Sequence, residues 1–252
     1  MEVFQDYAYY YNSFYKNKDY AEEAKQVNEI LKKYGRNIKS VINFGCGTGR
    51  HDIELIKLGY KMEGIDLSAG MIDVAKKNVL SLGMCEELSV ADVRTFVPKK
   101  RYDAVISLFH VMSYQNRNED ILNAFKTARK CLDKDGIFLF DVWYGPGVLT
   151  DLPVVRVKEV EDERYKLTRI ARPVLHDKTN VVDVCYEVLI TSKIDNVTKT
   201  INEVHNMRYF FRPEIEILLN MSGFELIDNI DCISLSDTDY NSWTSYFVVK
   251  AV

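Results

Sequence analysis

The stretch that decides the fold is VINFGCGTG, residues 41–49. Its β-branched start predicts a buried strand, and Gly45, Gly47 and Gly49 follow before a helix-like segment begins. Glycines at alternate positions let the backbone turn tightly and approach a ligand to contact distance, because no Cβ stands in the way. The stretch therefore predicts a strand, a ligand-binding glycine loop and a helix.

A carboxylate follows this loop at an informative distance. Asp66 ends the next apolar run, YKMEGID, and lies 21 residues after Gly45. A glycine loop with an acid roughly 20 residues further on, placed to bind ribose hydroxyls, is the general design of nucleoside cofactor sites on α/β sheets. The spacing GxGxG nevertheless differs from the GxGxxG of dinucleotide sites, so the pattern favours another nucleoside ligand.

Strands and helices alternate along the first 150 residues. Further apolar strands are predicted before Asp92, over YDAVISLF (102–109) and over GIFLFDVW (136–143), the last after a DKDG turn. Helices are predicted from a capping box at Asp19, over 50–58, after the N-cap Ser68 and over 119–131. Apolar strands that alternate with helices indicate an α/β fold with a parallel, doubly wound sheet.

The pattern changes at Asp151. Apolar and polar residues then alternate with period two, interrupted at 176–180 and 195–199, which predicts antiparallel strands joined by turns. A helix that opens with Pro213 and two further strands complete the chain. We therefore divide the sequence into a core at 1–150, an antiparallel β insertion at 151–211 that forms a lid, and a segment at 212–252 that completes the core sheet.

Composition excludes several classes of protein. The net charge of −4 and the lack of a long basic run argue against a nucleic-acid partner. No apolar run approaches 18 residues, and the N-terminus lacks a secretory pattern, so we expect no membrane partner and a cytoplasmic location. The cysteines form no CxxC pair, which predicts reduced thiols and no metal site; they are Cys46, Cys85, Cys131, Cys185 and Cys232.

The glycine loop, Asp66 and Asp92, in this order, resemble the class I S-adenosylmethionine (SAM) methyltransferases. The resemblance implies a seven-stranded Rossmann-like sheet and SAM as cofactor. It implies a cofactor site in which Asp66 binds the ribose, Ala91 and Asp92 meet the adenine and Leu108 lines the pocket. The complete predicted set is Tyr20, Gly45, Gly47, Gly49, Asp66, Leu67, Ala91, Asp92, Val93 and Leu108. Asn43 departs from the family, which usually has Asp or Glu there, and this amide is expected to weaken cofactor binding.

Four segments also resemble the nucleotide-linked deoxyamino-sugar N-methyltransferases: YYYNSFYKNKDYAEEA, GCGTGRH, EGIDLSAGMIDVAKK and DVWYGPG. This resemblance implies N-methylation of a small-molecule acceptor, a nucleotide sugar, and is compatible with a homodimer. It places Tyr15 beside the methyl donor and the acceptor, and Val142, Trp143 and Tyr144 in the acceptor pocket. It also offers three insertion arginines as diphosphate contacts, namely Arg156, Arg169 and Arg172.

The presence of His110 leaves open whether the acceptor atom is nitrogen or oxygen. This histidine follows the fourth strand, and a neutral imidazole is the base best matched to neutral pH. A hydroxyl acceptor needs such a base and an amine does not, so O-methylation with His110 as the base is an alternative, and His110 is otherwise a packing residue. His176 and His205 are lesser candidates. The segment SLFHVMSY lacks the motifs of base-directed nucleic-acid methyltransferases, and a non-catalytic SAM-binding domain is the alternative from another class.

Overall fold

The architecture is taken from a computed structural model that describes residues 8–84 and 86–252, without the side chain of Tyr9. The prediction made for Cys85 lies outside these residues. The helices are α1 (Ala8–Phe14), α2 (Tyr20–Tyr34), α3 (Arg50–Lys57), α4 (Ala69–Ser81), α5 (Asn118–Cys131), α6 (Gly145–Thr150) and α7 (Arg212–Asn220). The strands are β1 (Ser40–Phe44), β2 (Lys61–Asp66), β3 (Glu87–Val90), β4 (Tyr102–Ser107), β5 (Leu132–Tyr144), β6 (Arg156–Glu161), β7 (Tyr165–His176), β8 (Val181–Ser192), β9 (Thr198–Phe210), β10 (Phe224–Asp231) and β11 (Thr244–Ala251).

The core of the described chain is a seven-stranded sheet with the order β3-β2-β1-β4-β5-β11-β10. Strands β1 to β5 run parallel, and β11 is antiparallel to both of its neighbours. One face packs on α5 and α7 through residues such as Phe125 and Leu219, and the other packs on α2 and α3 through residues such as Leu31 and Leu55. The predicted doubly wound sheet is confirmed.

Two predicted helix starts can be compared with their hydrogen bonds. Ser68 caps α4 as predicted, because its Oγ accepts the backbone N–H of Met71 at 3.2 Å. Asp19 caps α2 by accepting the N–H of Glu22 at 2.9 Å. The second half of the predicted capping box is wrong, since the Glu22 carboxylate pairs instead with Lys25, one helical turn further on.

The predicted DKDG turn before the fifth strand is a local irregularity within β5. Asp135 has a φ of 67°, and the pairing with β4 jumps from Tyr102↔Leu132 to Ala104↔Ile137. The strand therefore begins at Leu132, immediately after α5 ends, and the left-handed residue absorbs the extra chain as a bulge does.

The strands β6 to β9 form an antiparallel sheet whose order follows the sequence. It joins the core where Trp143 and Tyr144 at the end of β5 pair in parallel with Tyr209 and Phe210 of β9. This sheet packs on α1 through Phe14, which lies beside Leu167 and Val188. The added strands therefore stand above the carboxyl end of the core sheet. No helix among the described residues is long and apolar enough to cross a membrane.

Candidate active site

A cavity of about 280 Å³ lies between the carboxyl ends of the core strands and the β6–β9 sheet. Ligands of open α/β sheets bind at this edge, where the strand order reverses, here between β1 and β4. The core, the N-terminal segment and the added sheet all contribute side chains to its wall. The lining residues are Tyr11, Tyr15, Tyr20, Gly45, Cys46, Gly47, Thr48, Arg50, His51, Asp66, Met71, Leu108, Phe109, His110, Val111, Tyr114, Trp143, Val184, Tyr186, His205, Met207 and Trp243.

The glycine loop forms one end of this cavity. Gly45 has a φ of +75°, and a Cβ there would lie 2.4 Å from a methyl carbon of Val111. Only glycine therefore fits at this position of the turn. Gly47 has a φ of +57°, but a Cβ on it would meet no atom within 4 Å. Gly47 itself lines the cavity, so a side chain there would project into free space beside the cavity wall.

Asp66 closes the loop from below, at the end of β2. One carboxylate oxygen accepts the N–H of Gly47 at 2.9 Å, and the other accepts the N–H of Ser68 at 2.8 Å. Burial raises the pKa of Asp66, and these two backbone donors oppose the shift by stabilising the carboxylate. The carboxylate thus fixes the loop and still faces the cavity, where it can accept ribose hydroxyls.

Several residues of the predicted cofactor set lie away from the cavity wall. Leu67 is 59% exposed and Val93 is packed in the core. Asp92 binds the guanidinium of Arg94, with contacts down to 2.6 Å, and this ion pair lowers the pKa of Asp92 against the opposing effect of burial. Ala91 donates its N–H to the backbone of Asp66, so β3 ends beside the site without lining it. The structure does not bring these residues to the cavity.

Gly49 is also absent from the cavity wall, for a packing reason. It has a φ of +71°, and a Cβ there would lie 3.4 Å from the Cβ of Ala75 in α4. Its small size therefore lets the start of α3 approach α4. Leu108, by contrast, is 4% exposed and lines the cavity.

The N-terminal segment covers the cofactor end. Tyr20 packs edge-on against His51, with ring centres 4.8 Å apart, and the guanidinium of Arg50 stands 4.8 Å from the Tyr20 ring centre. The imidazole of His51 lies 2.7 Å from the carboxylate of Glu23, which Lys18 also contacts at 2.7 Å. The predicted cofactor residue Tyr20 thus lies on the wall, held by an ion network between α2 and α3.

Aromatic rings form a further part of the cavity wall, around Tyr15 and Trp143. The Tyr15 ring meets Phe109 edge-on at 5.3 Å, and its hydroxyl accepts a hydrogen bond from Arg169 at 3.2 Å. Trp143 lies 4.7 Å from Trp243 between ring centres. Tyr15 and Trp143 therefore line the same cavity, and Trp243 adds a third aromatic side chain to its wall.

Several predicted acceptor residues do not line this cavity. Tyr144 is 8% exposed and points away from it, because successive residues of a strand face opposite sides. Arg172 is an exposed residue that pairs with Glu187 at 2.8 Å. Arg156 lines a separate, open depression beside Tyr240, and that depression shares Trp243 with the main cavity.

A phenol, an imidazole and a carboxylate line up on the insertion side. The Tyr114 hydroxyl lies 2.8 Å from His205 Nδ1, and His205 Nε2 lies 3.1 Å from the carboxylate of Glu203. Tyr186 covers His205 with its ring centre 4.6 Å away. Sequence reasoning treated His205 as a lesser candidate and passed over Tyr114, since 91 residues separate the two in the chain.

His110 meets a carboxylate that the sequence analysis did not single out. His110 Nδ1 lies 2.6 Å from Asp141 Oδ2, and Asp141 is 3% exposed. The available signal was Asp141 itself, the one charged residue within the apolar run GIFLFDVW. The carboxyl ends of β4 and β5 are adjacent, and this adjacency brings the pair together.

Comparisons with known proteins agree with this architecture. Residues 41–136 match the methyltransferase domain family. The chain is 24% identical over 223 residues to the dTDP-3-amino-3,4,6-trideoxy-alpha-D-glucopyranose N,N-dimethyltransferase of Streptomyces venezuelae, covering 88% of this chain and 91% of the relative. It is 24% identical to the dTDP-4-amino-2,3,4,6-tetradeoxy-D-glucose N,N-dimethyltransferase of Saccharopolyspora spinosa, covering 77% of each chain.

A solved structure shares the whole fold. The SAM-dependent methyltransferase of Clostridium acetobutylicum superposes with a TM-score of 0.82 at 18% identity, over 99% of each chain. The chain therefore carries a methyltransferase domain and is a SAM-dependent methyltransferase, and the solved structure shows that it has the class I methyltransferase fold.

The residues present fit SAM at the glycine-loop end. The free space beside Gly47 and the carboxylate of Asp66 face the same volume, so the loop can hold the nucleoside while Asp66 binds its ribose. Tyr20 and Leu108 supply apolar walls to that volume. When bound, SAM supplies a methyl group already activated on a sulfonium, so the protein's main task is to position the acceptor.

Proposed function

We propose that the protein transfers a methyl group from SAM to the amino group of a nucleotide-linked sugar. The observation that carries the proposal is the mixed lining of one cavity. The glycine loop and Asp66 line it together with the aromatic side chains of Tyr15, Trp143 and Trp243. Aromatic walls suit the apolar face of a deoxysugar ring, while both relatives described above are named as methyltransferases of dTDP-linked amino sugars.

The depression beside the cavity supports a nucleotide-linked acceptor. Trp243 borders both spaces, so an acceptor whose sugar lies in the cavity can extend past this ring into the depression. Arg156 lines the depression and can meet a diphosphate there, while Tyr240, which is 74% exposed, offers a ring for a base.

The homodimer that the resemblance allows stays a prediction.

The chain's own residues perform the positioning. Arg169 orients the Tyr15 hydroxyl at the acceptor end, and Tyr114 presents a second hydroxyl that His205 and Glu203 hold in place. The β6–β9 sheet covers the acceptor end through Val184 and Met207, which limits the entry of water. These contacts hold an acceptor nitrogen near the donor, and near-attack positioning can contribute about 7–11 kcal/mol to catalysis.

O-methylation of a sugar hydroxyl is the second candidate, and one observation favours it. His110 lies against the buried carboxylate of Asp141, an arrangement that a hydroxyl acceptor requires more than an amine does.

The test is methyl transfer from isotopically labelled SAM to matched nucleotide sugars that carry either an amino group or a hydroxyl at the same carbon. Mass spectrometry of the products identifies the atom that receives the methyl group. Transfer to the amino sugars is expected. Transfer to the hydroxyl sugars alone would replace the proposal by O-methylation.

A further inference from the structure

We propose that Asp141 is a positioning residue that fixes the His110 imidazole, so that its Nε2 takes the proton which the acceptor must lose during methyl transfer. The proposal rests on the proposed function only in assuming an acceptor that loses a proton, which holds for an ammonium and for a hydroxyl. It assigns to the two residues the removal of a proton from the acceptor, a step that neither the glycine loop nor the aromatic side chains can perform.

The geometry fixes the direction of the ring. His110 Nδ1 is buried and lies 2.6 Å from Asp141 Oδ2, an ion-pair contact whose angle is not that of a hydrogen bond. The imidazole is nevertheless 22% exposed and lines the cavity, so the exposed edge is the opposite one, which carries Nε2. A carboxylate against Nδ1 favours the tautomer with the proton on Nδ1, which leaves Nε2 as a free base.

The backbone is held in the same place by the same carboxylate. The backbone N–H of His110 donates to both oxygens of Asp141, at 3.0 and 3.1 Å. Phe109 and His110 both have left-handed φ angles, of 66° and 68°. Two consecutive left-handed residues that are not glycine are uncommon, and such strain concentrates at functional sites. The Asp141 carboxylate thus stabilises the left-handed turn that follows β4.

The groups around His110 and Asp141 are either neutral or paired with other residues. Tyr246 pairs with Asp141 across the sheet, and Cys232 lies close by; burial raises the pKa of both, which keeps both neutral. Lys18 stands 3.8 Å from the ring centre of Phe109 and is itself paired with Glu23, and Tyr15 packs on the same ring. Among the described residues, His110 is the group that forms an ion pair with Asp141.

The proton and electron balance is simple. Nε2 of His110 takes a proton from the acceptor ammonium or hydroxyl, and the resulting imidazolium keeps its Nδ1–H on the Asp141 carboxylate. The freed lone pair of the acceptor forms the bond to the methyl carbon as the carbon–sulfur bond breaks, and that electron pair stays on sulfur. His110 returns its proton to water after the product leaves.

The first measurement needs no acceptor. In protein labelled with ¹⁵N-histidine, the imidazole nitrogen shifts report which nitrogen of His110 carries the proton, with His110→Asn assigning the signals. The wild type should show a protonated Nδ1 and a bare Nε2, and Asp141→Asn should remove this preference. A proton on Nε2 in the wild type, or an unchanged tautomer in Asp141→Asn, would overturn the proposal whatever the acceptor is.

The second measurement is the rate of methyl transfer. His110→Asn suits the left-handed backbone, because asparagine adopts it readily, and should lower kcat at least about 100-fold at neutral pH. With an amine acceptor the deficit should narrow as the pH rises and the amine deprotonates in solution. Asp141→Glu should recover part of the activity that Asp141→Asn loses. An unchanged kcat in His110→Asn would also refute the proposal.

The chain offers a matched control. His176 and Asp183 form a similar pair, with Nε2 and Oδ2 2.8 Å apart, on the exposed surface of the insertion. His176→Asn and Asp183→Asn should leave both kcat and the His110 signals unchanged. If no nucleotide sugar is methylated, the tautomer measurement still decides on the pair, so failure of the acceptor assignment is distinguishable from failure of this proposal.

Discussion

Asn43 Nδ2 lies 2.5 Å from Asp52 Oδ1, and both side chains are buried, with exposures of 1% and 0%. Asn43 stands on β1 and Asp52 on the first turn of α3, so this contact spans the two ends of the glycine loop. Neither residue lines the cavity. The carboxylate that the resemblance led us to expect at position 43 is therefore replaced by one nine residues later in the chain, which contacts Asn43 across the loop and does not line the cavity.

An acid at position 43, which the resemblance led us to expect, should destabilise this protein. Asn43→Asp places a second carboxylate against the buried Asp52, and an uncompensated buried charge destabilises by about 3 kcal/mol or more. The loss, measured by urea unfolding, should shrink at acid pH, where one carboxyl is protonated. The double variant Asn43→Asp with Asp52→Asn recreates an amide–carboxylate pair and should recover most of the stability. A stable single variant with tighter binding of S-adenosylhomocysteine would instead support the expectation that Asn43 weakens cofactor binding.

Glu86 joins this buried group from the segment before β3, and both of its carboxyl oxygens are buried. Burial, reinforced by the neighbouring Asp52, raises the pKa of Glu86 to about 10. Burial likewise raises the pKa of Asp52. At neutral pH Glu86 is therefore protonated, and the two carboxyls together hold a proton beneath the loop.

This raised pKa predicts how stability depends on pH. A carboxyl whose folded pKa exceeds its unfolded value stabilises the fold at low pH, and that stability is lost as the pH rises from about 4.5 to about 10. Glu86→Gln removes the titration, so it should match the wild type near pH 5 and exceed it by about 1–3 kcal/mol at pH 8. Glu87→Gln, at the adjacent and exposed residue, should show no such trend in the same denaturant series. A constant difference between Glu86→Gln and the wild type at all pH values would contradict the assignment.

Alanine at Gly47 should separate ligand binding from stability. Gly47 and Gly83 have similar left-handed φ angles, of 57° and 65°, and a Cβ at either position meets no atom within 4 Å. Each Gly→Ala change should therefore lower the free energy of unfolding by about 1–2 kcal/mol through backbone strain. Only Gly47 faces the cavity, so only Gly47→Ala should weaken S-adenosylhomocysteine binding, by about tenfold or more in calorimetry. Equal affinities in the two variants would place the cofactor elsewhere.

The insertion arginines should differ in their effect on the acceptor. Arg156 lines the depression beside Trp243, whereas Arg172 is already paired with Glu187. Arg156→Gln should raise KM for a nucleotide sugar about tenfold with little change in kcat, because it removes a charge-assisted contact that is present in both the ground state and the transition state. Arg172→Gln should leave both constants unchanged. The reverse pattern in steady-state kinetics would move the phosphate contact to the outer face of the sheet.

Local sequence signals were sufficient for much of the molecule. The glycine loop, the cap at Ser68 and the alternation of strands and helices depend on neighbouring residues, and the structure confirms them. They were insufficient where a residue could form more than one set of hydrogen bonds. The Glu22 carboxylate pairs with Lys25 and not with the backbone of Asp19, and the DKDG segment forms a bulge because β5 continues through it.

Short-range spacing was enough to predict an α/β sheet and the glycine loop of the site, because it encodes a strand, a tight turn and a helix in order. The resemblance added the class I methyltransferase fold. Which side chains share the cavity depends on the folded chain. The meetings of His110 with Asp141, of Tyr114 with His205 and of Asn43 with Asp52 depend on which strand ends lie adjacent and which way each side chain faces. Spacing along the chain does not carry that information, since side-chain direction alternates along a strand and strand neighbours are set by the packing of the whole sheet.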